Sequence, residues 1–148
     1  MPAEGATLEL TRSIGGSRDA VWRAWTDPAE LNLWWWPARL QTTYVIDARP
    51  GGAYRFKTAD IPDMGVLDLS GKFLQVDRPE HLSYTFRWNN DTDGETRVDV
   101  RFRELTGDQT EVRLRHEGFP DDGERDNHIT GWNDCLDRLE ARFRDPPE

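Results

Sequence analysis

Two hydrophobic periods divide the chain. Residues 6–14, ATLELTRSI, set Leu8, Leu10 and Ile14 among Thr, Glu and Arg at a spacing of two, the pattern of a half-buried strand. Gly-Gly-Ser breaks it, and Ser17 is then an N-cap for a short helix, RDAVWRAWT, with Val21, Trp22 and Trp25 on one side. Asp27, Pro28 and Glu30 provide the N-cap, first helical residue and capping-box carboxylate of a second short helix. That helix holds Leu31, Leu33 and three consecutive tryptophans, Trp34, Trp35 and Trp36, before Pro37 helps end it. Neither a 3.6-residue nor a two-residue period can point three adjacent side chains the same way.

From residue 41 the period returns to two. TTYVID and AYRFK flank the turn RPGG, where Pro50 fixes φ and Gly51 and Gly52 can adopt φ > 0, with Asp47 and Arg49 close enough to pair beside it. GVLDLSGKFLQVD follows as a further strand. Three cleaner strands come next. Leu82, Tyr84, Phe86 and Trp88 share one face of HLSYTFRW; Val98, Val100 and Phe102 share one of TRVDVRFRE; Val112, Leu114 and His116 share one of TEVRLRHE. Their opposite faces are polar, the mark of an antiparallel sheet with one wet side. NNDTDG and TGD suit the hairpins between them, and His81, at a strand start, is expected to be exposed. The C-terminal segment is helical in period, capped by Asp121 or Asp122, with Ile129, Trp132, Leu136, Leu139 and Phe143 at three- and four-residue steps.

The order is strand, two short helices, six or so strands and one long helix. It predicts an α+β fold in one domain over residues 1–148. The inward strand faces are unusually aromatic, and one long helix must cover them. A strongly bent sheet wrapped around that helix meets both conditions and leaves room for a cavity.

Composition sharpens this picture. Only 36% of the 148 residues are hydrophobic, yet 11% are aromatic and seven are Trp, so the core is built from a few large side chains. A net charge of −9 argues against a nucleic acid or an anionic membrane as partner. One cysteine, Cys135, allows neither an intramolecular disulfide nor a thiolate metal cluster. No apolar run approaches the ~20 residues of a membrane span, and MPAEGATLEL lacks the basic and apolar regions of a signal peptide. A cytoplasmic location is the expectation.

Five stretches carry a resemblance. AVWRAWTDPAEL, LWWWP, IDARPGGAYRF, HEGF and GWNDCLDRL, in that order over residues 7–143, resemble the activator of Hsp90 ATPase homologue group of the SRPBCC superfamily, which comprises START and Bet v 1-like proteins. The most distinctive of them matches that group's Asp-x-Arg-x-Gly-Gly-x-aromatic-x-Phe motif. Trp36 departs from the pattern, standing where the group usually has Gly or another small residue. The resemblance implies a helix-grip fold: a curved antiparallel sheet of six to seven strands around the long C-terminal helix, with two short helices after the first strand. Superfamily members include lipid carriers, hormone receptors and aromatase/cyclases, so the fold alone leaves the activity open.

The residues favour a non-catalytic protein that holds an apolar or aromatic small molecule, or a lipid, between sheet and helix. Trp34, Trp35, Trp36, Tyr54, Tyr84, Phe86, Trp88, His116, His128 and Trp132 are the candidate ligand-binding residues, with Tyr54, Tyr84 and the two histidines able to supply orienting hydrogen bonds. Trp22, Trp25 and Trp132 can equally be plain core. Each histidine can equally be satisfied by a neighbouring carbonyl or Asp. No metal, cofactor or catalytic set is expected: the histidines are scattered, there is no Gly-x-Ser-x-Gly elbow or phosphate loop, and Cys135 lies on a buried helical stripe. Two other functions stay open. The resemblance implies a module acting on the Hsp90 ATPase, although it covers only the second domain of the eukaryotic activator. A cyclase- or hydrolase-type enzyme would use His116 or His128 with Tyr84 as acid–base groups.

Overall fold

The computed structural model describes residues 6–63, 65–88, 95–106 and 108–144. Strand β1 (Ala6–Ile14) leads into helices α1 (Arg18–Thr26) and α2 (Pro28–Trp34) and a single 3-10 turn at Ala38–Leu40. Strands β2 (Thr43–Ile46), β3 (Ala53–Lys57), β4 (Asp68–Asp77), β5 (His81–Trp88), β6 (Thr96–Leu105) and β7 (Gln109–Phe119) follow, and helix α3 (Asp122–Arg144) completes the fold. The strands form one antiparallel sheet in the order β1-β7-β6-β5-β4-β3-β2. The long step from β1 to the opposite edge is bridged by α1 and α2.

The helix starts follow from side-chain acceptors for backbone N–H groups that have no partner within the helix. Ser17 Oγ accepts from the Ala20 N–H at 3.2 Å, and Asp27 Oδ1 from the Ala29 N–H at 2.9 Å. At α3 it is Asp121 that accepts, from the Glu124 N–H at 2.8 Å. At the RPGG turn Gly51 has φ +84°, and a Cβ on Gly52 would lie 2.1 Å from the Asp47 carbonyl oxygen. Both glycines are thus required by the turn, and Arg49 donates to Asp47 at 2.9 Å beside it.

Inward alternation holds along the sheet. Val98, Val100, Phe102, Val112, Leu114 and His116 are buried, while the outer faces of β6 and β7 carry ion pairs such as Arg97–Glu117 at 2.9 Å. Two expectations need correction. His81 is buried rather than exposed, its Nε2 2.7 Å from Asp99 Oδ2 on the neighbouring strand. Residues 65–67 do not begin β4: Gly65, at φ +82°, instead closes a turn by hydrogen bonds in both directions with Ile61. The β4–β5 register slips between Phe73 and Gln75, and the intervening Leu74 is left about half exposed. Such a bulge bends the strand and adds twist. The proposed 89–94 hairpin loop and Gly107 lie outside the described residues.

Helix α3 rests on β1 and β7 and meets α2. Arg12 of β1 reaches three α3 side chains, Asn133 at 2.7 Å, Asp137 at 2.8 Å and Glu140. From α3, Arg138 donates Nε to the Trp34 carbonyl at 2.9 Å and Nη2 to the Trp35 carbonyl at 2.7 Å. These carbonyls end α2 and have no intrahelical acceptor role left, so a cation there also favours the helix dipole. Replacing Arg138 by Met keeps the aliphatic stem and removes both bonds. Urea unfolding should show a loss of about 1–3 kcal/mol with the slope unchanged; an unchanged midpoint would mean that the clamp contributes nothing.

Candidate functional site

The tryptophan run fans out because α2 stops inside it. The Trp35 N–H still bonds the Leu31 carbonyl at 2.9 Å, but Pro37 has no N–H to continue the helix. Trp34 turns back under α1, fully buried, and its indole N–H donates to the Ala24 carbonyl at 2.9 Å. Trp35 turns inward, edge-on to Trp132 of α3 (5.2 Å, 85°) and to Phe56 of β3 (5.2 Å, 71°). Trp36 turns the third way, only partly buried, and lies nearly parallel to Trp88 of β5 at 5.9 Å and 12°.

Between these rings, β5 and α3 lies a cavity of about 290 Å³. Trp35, Trp36, Leu69, Phe86, Trp88, Asn127, His128, Gly131, Trp132 and Cys135 line it. None of these residues is acidic, Lys or Arg. Asn127 and Gly131 are exposed and mark its rim, whereas Trp35, Leu69, Phe86, Trp132 and Cys135 are buried. A larger hollow on the outer sheet face is of another kind, lined by arginines and carboxylates of β1, β6 and β7.

The polar side-chain atoms of Trp88, His128, Trp132 and Cys135 around the cavity are already used. Trp132 Nε1 donates to His116 Nδ1 at 3.0 Å, so that nitrogen is bare and Nε2 carries the proton. Nε2 is 2.6 Å from Thr96 Oγ1, which in turn donates to the Phe86 carbonyl at 3.0 Å. His128 is wired in the opposite tautomer: its Nε2 accepts from Trp88 Nε1 at 3.0 Å and its Nδ1 donates to the Glu124 carbonyl at 2.8 Å. Burial, with a smaller contribution from His128, holds the His116 pKa well below the ordinary histidine value. Burial likewise pushes the Cys135 thiol up to about 12, and its S–H donates to the Trp35 carbonyl at 2.9 Å. A thiol so placed is a poor nucleophile. Tyr54 and Tyr84 are raised well above the usual phenol range, again chiefly by burial.

Of the sequence candidates, Trp35, Trp36, Phe86, Trp88, His128 and Trp132 come together on this cavity. Trp34 belongs to the α1–α2 contact, and His116 stands behind Trp132 and His128. Tyr54 and Tyr84 face a separate void of about 10 Å³, together with Trp25 and Trp35. The indole nitrogens of Trp25 and Trp35 have no acceptor among the described residues, and that void is large enough for about one water. Sequence reasoning passed over Leu69, Asn127 and Gly131. Asn127, Gly131 and Cys135 fall on the α3 stripe that His128 and Trp132 define, so helical periodicity held the signal for them. Among the described residues no three His, Cys, Asp or Glu side chains are grouped to hold a metal ion.

Comparison with known proteins bears on this geometry. The family model described as Activator of Hsp90 ATPase homolog 1-like protein matches residues 16–144. No match to curated proteins was found. Among solved structures, protein CV1439 from Chromobacterium violaceum is similar with TM-score 0.81 and 25% identity, over 96% of this chain and 98% of that one. Ms6760 from Mycobacterium smegmatis gives 0.80 and 19%, over 96% and 93%. PFC0360w, described as an HSP90 activator from Plasmodium falciparum, gives 0.72 and 20%, over 93% and 95%. The helix-grip arrangement of curved sheet and long C-terminal helix expected from the residues is the fold of this chain.

The wiring of His116 makes stability depend on pH. Its folded pKa lies below the unfolded 6.5, so the unfolded ring takes up a proton first as pH falls. The stabilisation is complete above about pH 6.5 and is lost progressively below it. Denaturation from pH 7 to pH 5 should show the wild type losing up to about 1.4 kcal/mol per pH unit more than His116→Gln. Parallel losses in the two proteins would contradict the neutral, buried ring.

Proposed function

The chain belongs to the family of activator of Hsp90 ATPase homolog 1-like proteins, and from its cavity we propose that it binds an uncharged, largely aromatic small molecule between the sheet and α3. The observation that carries this reading is a wall of four indoles and a phenyl ring with no charged side chain in it. A buried charge would have no partner there and would be strongly disfavoured. The hydrogen-bonding atoms of His128, Trp88, Trp132 and Cys135 are engaged within the protein, so these four side chains ask for no donor or acceptor on the buried part of the ligand. Its polar end belongs at the rim, beside Asn127.

Size narrows the class. An apolar cavity of about 150 Å³ takes up benzene; about 290 Å³ suits two fused rings or one ring with a short chain rather than a long acyl lipid. Binding is favoured over turnover, because neither histidine presents a free ring nitrogen to the cavity and both tyrosines are poor bases at neutral pH. A second reading, a module that acts on the Hsp90 ATPase, draws support from the family description and from the likeness to the Plasmodium protein. It would use an outer surface and does not require the cavity.

1-Naphthol, at about 100 times its dissociation constant, should stabilise the protein by about 2.7 kcal/mol in a thermal-shift measurement. Trp36→Gly, which removes the stack on Trp88, should speed release of the probe and lower stability by about 0.5–1.5 kcal/mol beyond the lost burial. No shift with 1-naphthol or related two-ring compounds would remove the cavity reading. A changed ATPase rate of the chaperone on adding this protein would then support the second.

A further inference from the structure

Gly131 lies deep inside α3, far from both ends of a helix that runs from Asp122 to Arg144. Glycine in such a position disfavours the helix relative to alanine, through backbone entropy. Three structural reasons usually account for it, and none applies. Its φ is not positive, so the backbone does not require it. A Cβ built on it would meet no described atom within 4 Å, so no neighbouring element needs the space. It is far from the C-terminal cap, where glycine ends helices.

What remains is the cavity. Asn127, His128, Trp132 and Cys135 of α3 all line it, and at 100° per residue Gly131 falls inside the arc these four span rather than at its margin. The missing side chain therefore opens the α3 wall of the cavity at its exposed rim. Resting on the ligand-binding reading above, we propose that Gly131 is the specificity-determining residue of the cavity: its empty Cβ position admits the second ring of an uncharged two-ring aromatic ligand, and the side chain at 131 sets the largest ligand accepted.

The test compares phenol with 1-naphthol, both uncharged at neutral pH, by NMR titration of the wild type, Gly131→Ala and Gly131→Leu. Gly131→Ala fills open space on a helix and should raise the melting temperature by about 2–5 °C. The same substitution should raise the ratio of the 1-naphthol to the phenol dissociation constant by about tenfold, and Gly131→Leu should raise it further, because the added carbons occupy the room of the second ring. An unchanged ratio in both variants, with the wild type binding both probes, would overturn the role of Gly131 and leave the cavity reading standing. A lower melting temperature for Gly131→Ala would also overturn it, since the glycine would then serve the fold. Failure of the wild type to bind either probe would overturn the cavity reading itself and this proposal with it.

Discussion

Everything in this fold answers to one constraint: one long helix, helped by two short ones, has to cover the inner face of a seven-stranded sheet. Seven strands at about 4.8 Å spacing make a surface about 29 Å wide, while a helix with its side chains is about 10–12 Å across. A flat sheet would leave most of its apolar face in water. The sheet therefore curls, aided by the bulge at Leu74, and large rings reach across the remaining distance. Trp25, Trp35, Trp132, Phe56, Phe86 and Phe102 form a connected set of edge-on, tilted and stacked contacts between helices and strands. A few large rings fill a wide gap with little side-chain entropy to lose. Rigid rings also tile imperfectly, and the cavity between α3 and β5 is the space they leave.

The same constraint explains the buried polar atoms. Indoles that span the gap carry their N–H groups into a dry interior, where each needs an acceptor. His116 and His128 serve as those acceptors, for Trp132 and Trp88, and each donates its own N–H to an oxygen, that of Thr96 or of the Glu124 carbonyl. Their chemistry is spent on holding two walls of the cavity at a fixed angle. Arg138 acts similarly from outside, tying the end of α2 to α3 so that Trp35 and Trp36 diverge at a defined point. Packing and wiring together thus make a preformed, largely apolar cavity.

Much of this was legible in the chain. Alternation located the strands of the C-terminal half, because one face of each meets the core and the other meets water. Ser17 and Asp27 announced helix starts through side-chain acceptors at the right offset, and the Asp121–Asp122 pair announced the third without saying which of the two caps it. Local pattern could not give the direction of each tryptophan in the run, since that depends on where α2 unwinds and on what α1, α3 and β5 present to it. His81 misled for a related reason: strand position suggested exposure, but its cross-strand neighbour Asp99 holds the ring down. Tyr54 and Tyr84 sat on the correct face of the sheet, yet they face a different void from the one beside α3. Gly131 shares the α3 stripe of His128 and Trp132, but a residue without a side chain does not draw the eye as a wall of a cavity.

The central claim, that an uncharged aromatic guest enters between the sheet and α3, is tested most directly by the indole N–H resonances during titration with 1-naphthol. The rings at the cavity, Trp35, Trp36, Trp88 and Trp132, should shift together along one saturating curve. Trp22, which packs edge-on against Phe102 at 5.5 Å and does not line the cavity, should hardly move. Shifts largest at Trp22, or weak and non-saturating at all seven indoles, would contradict the account.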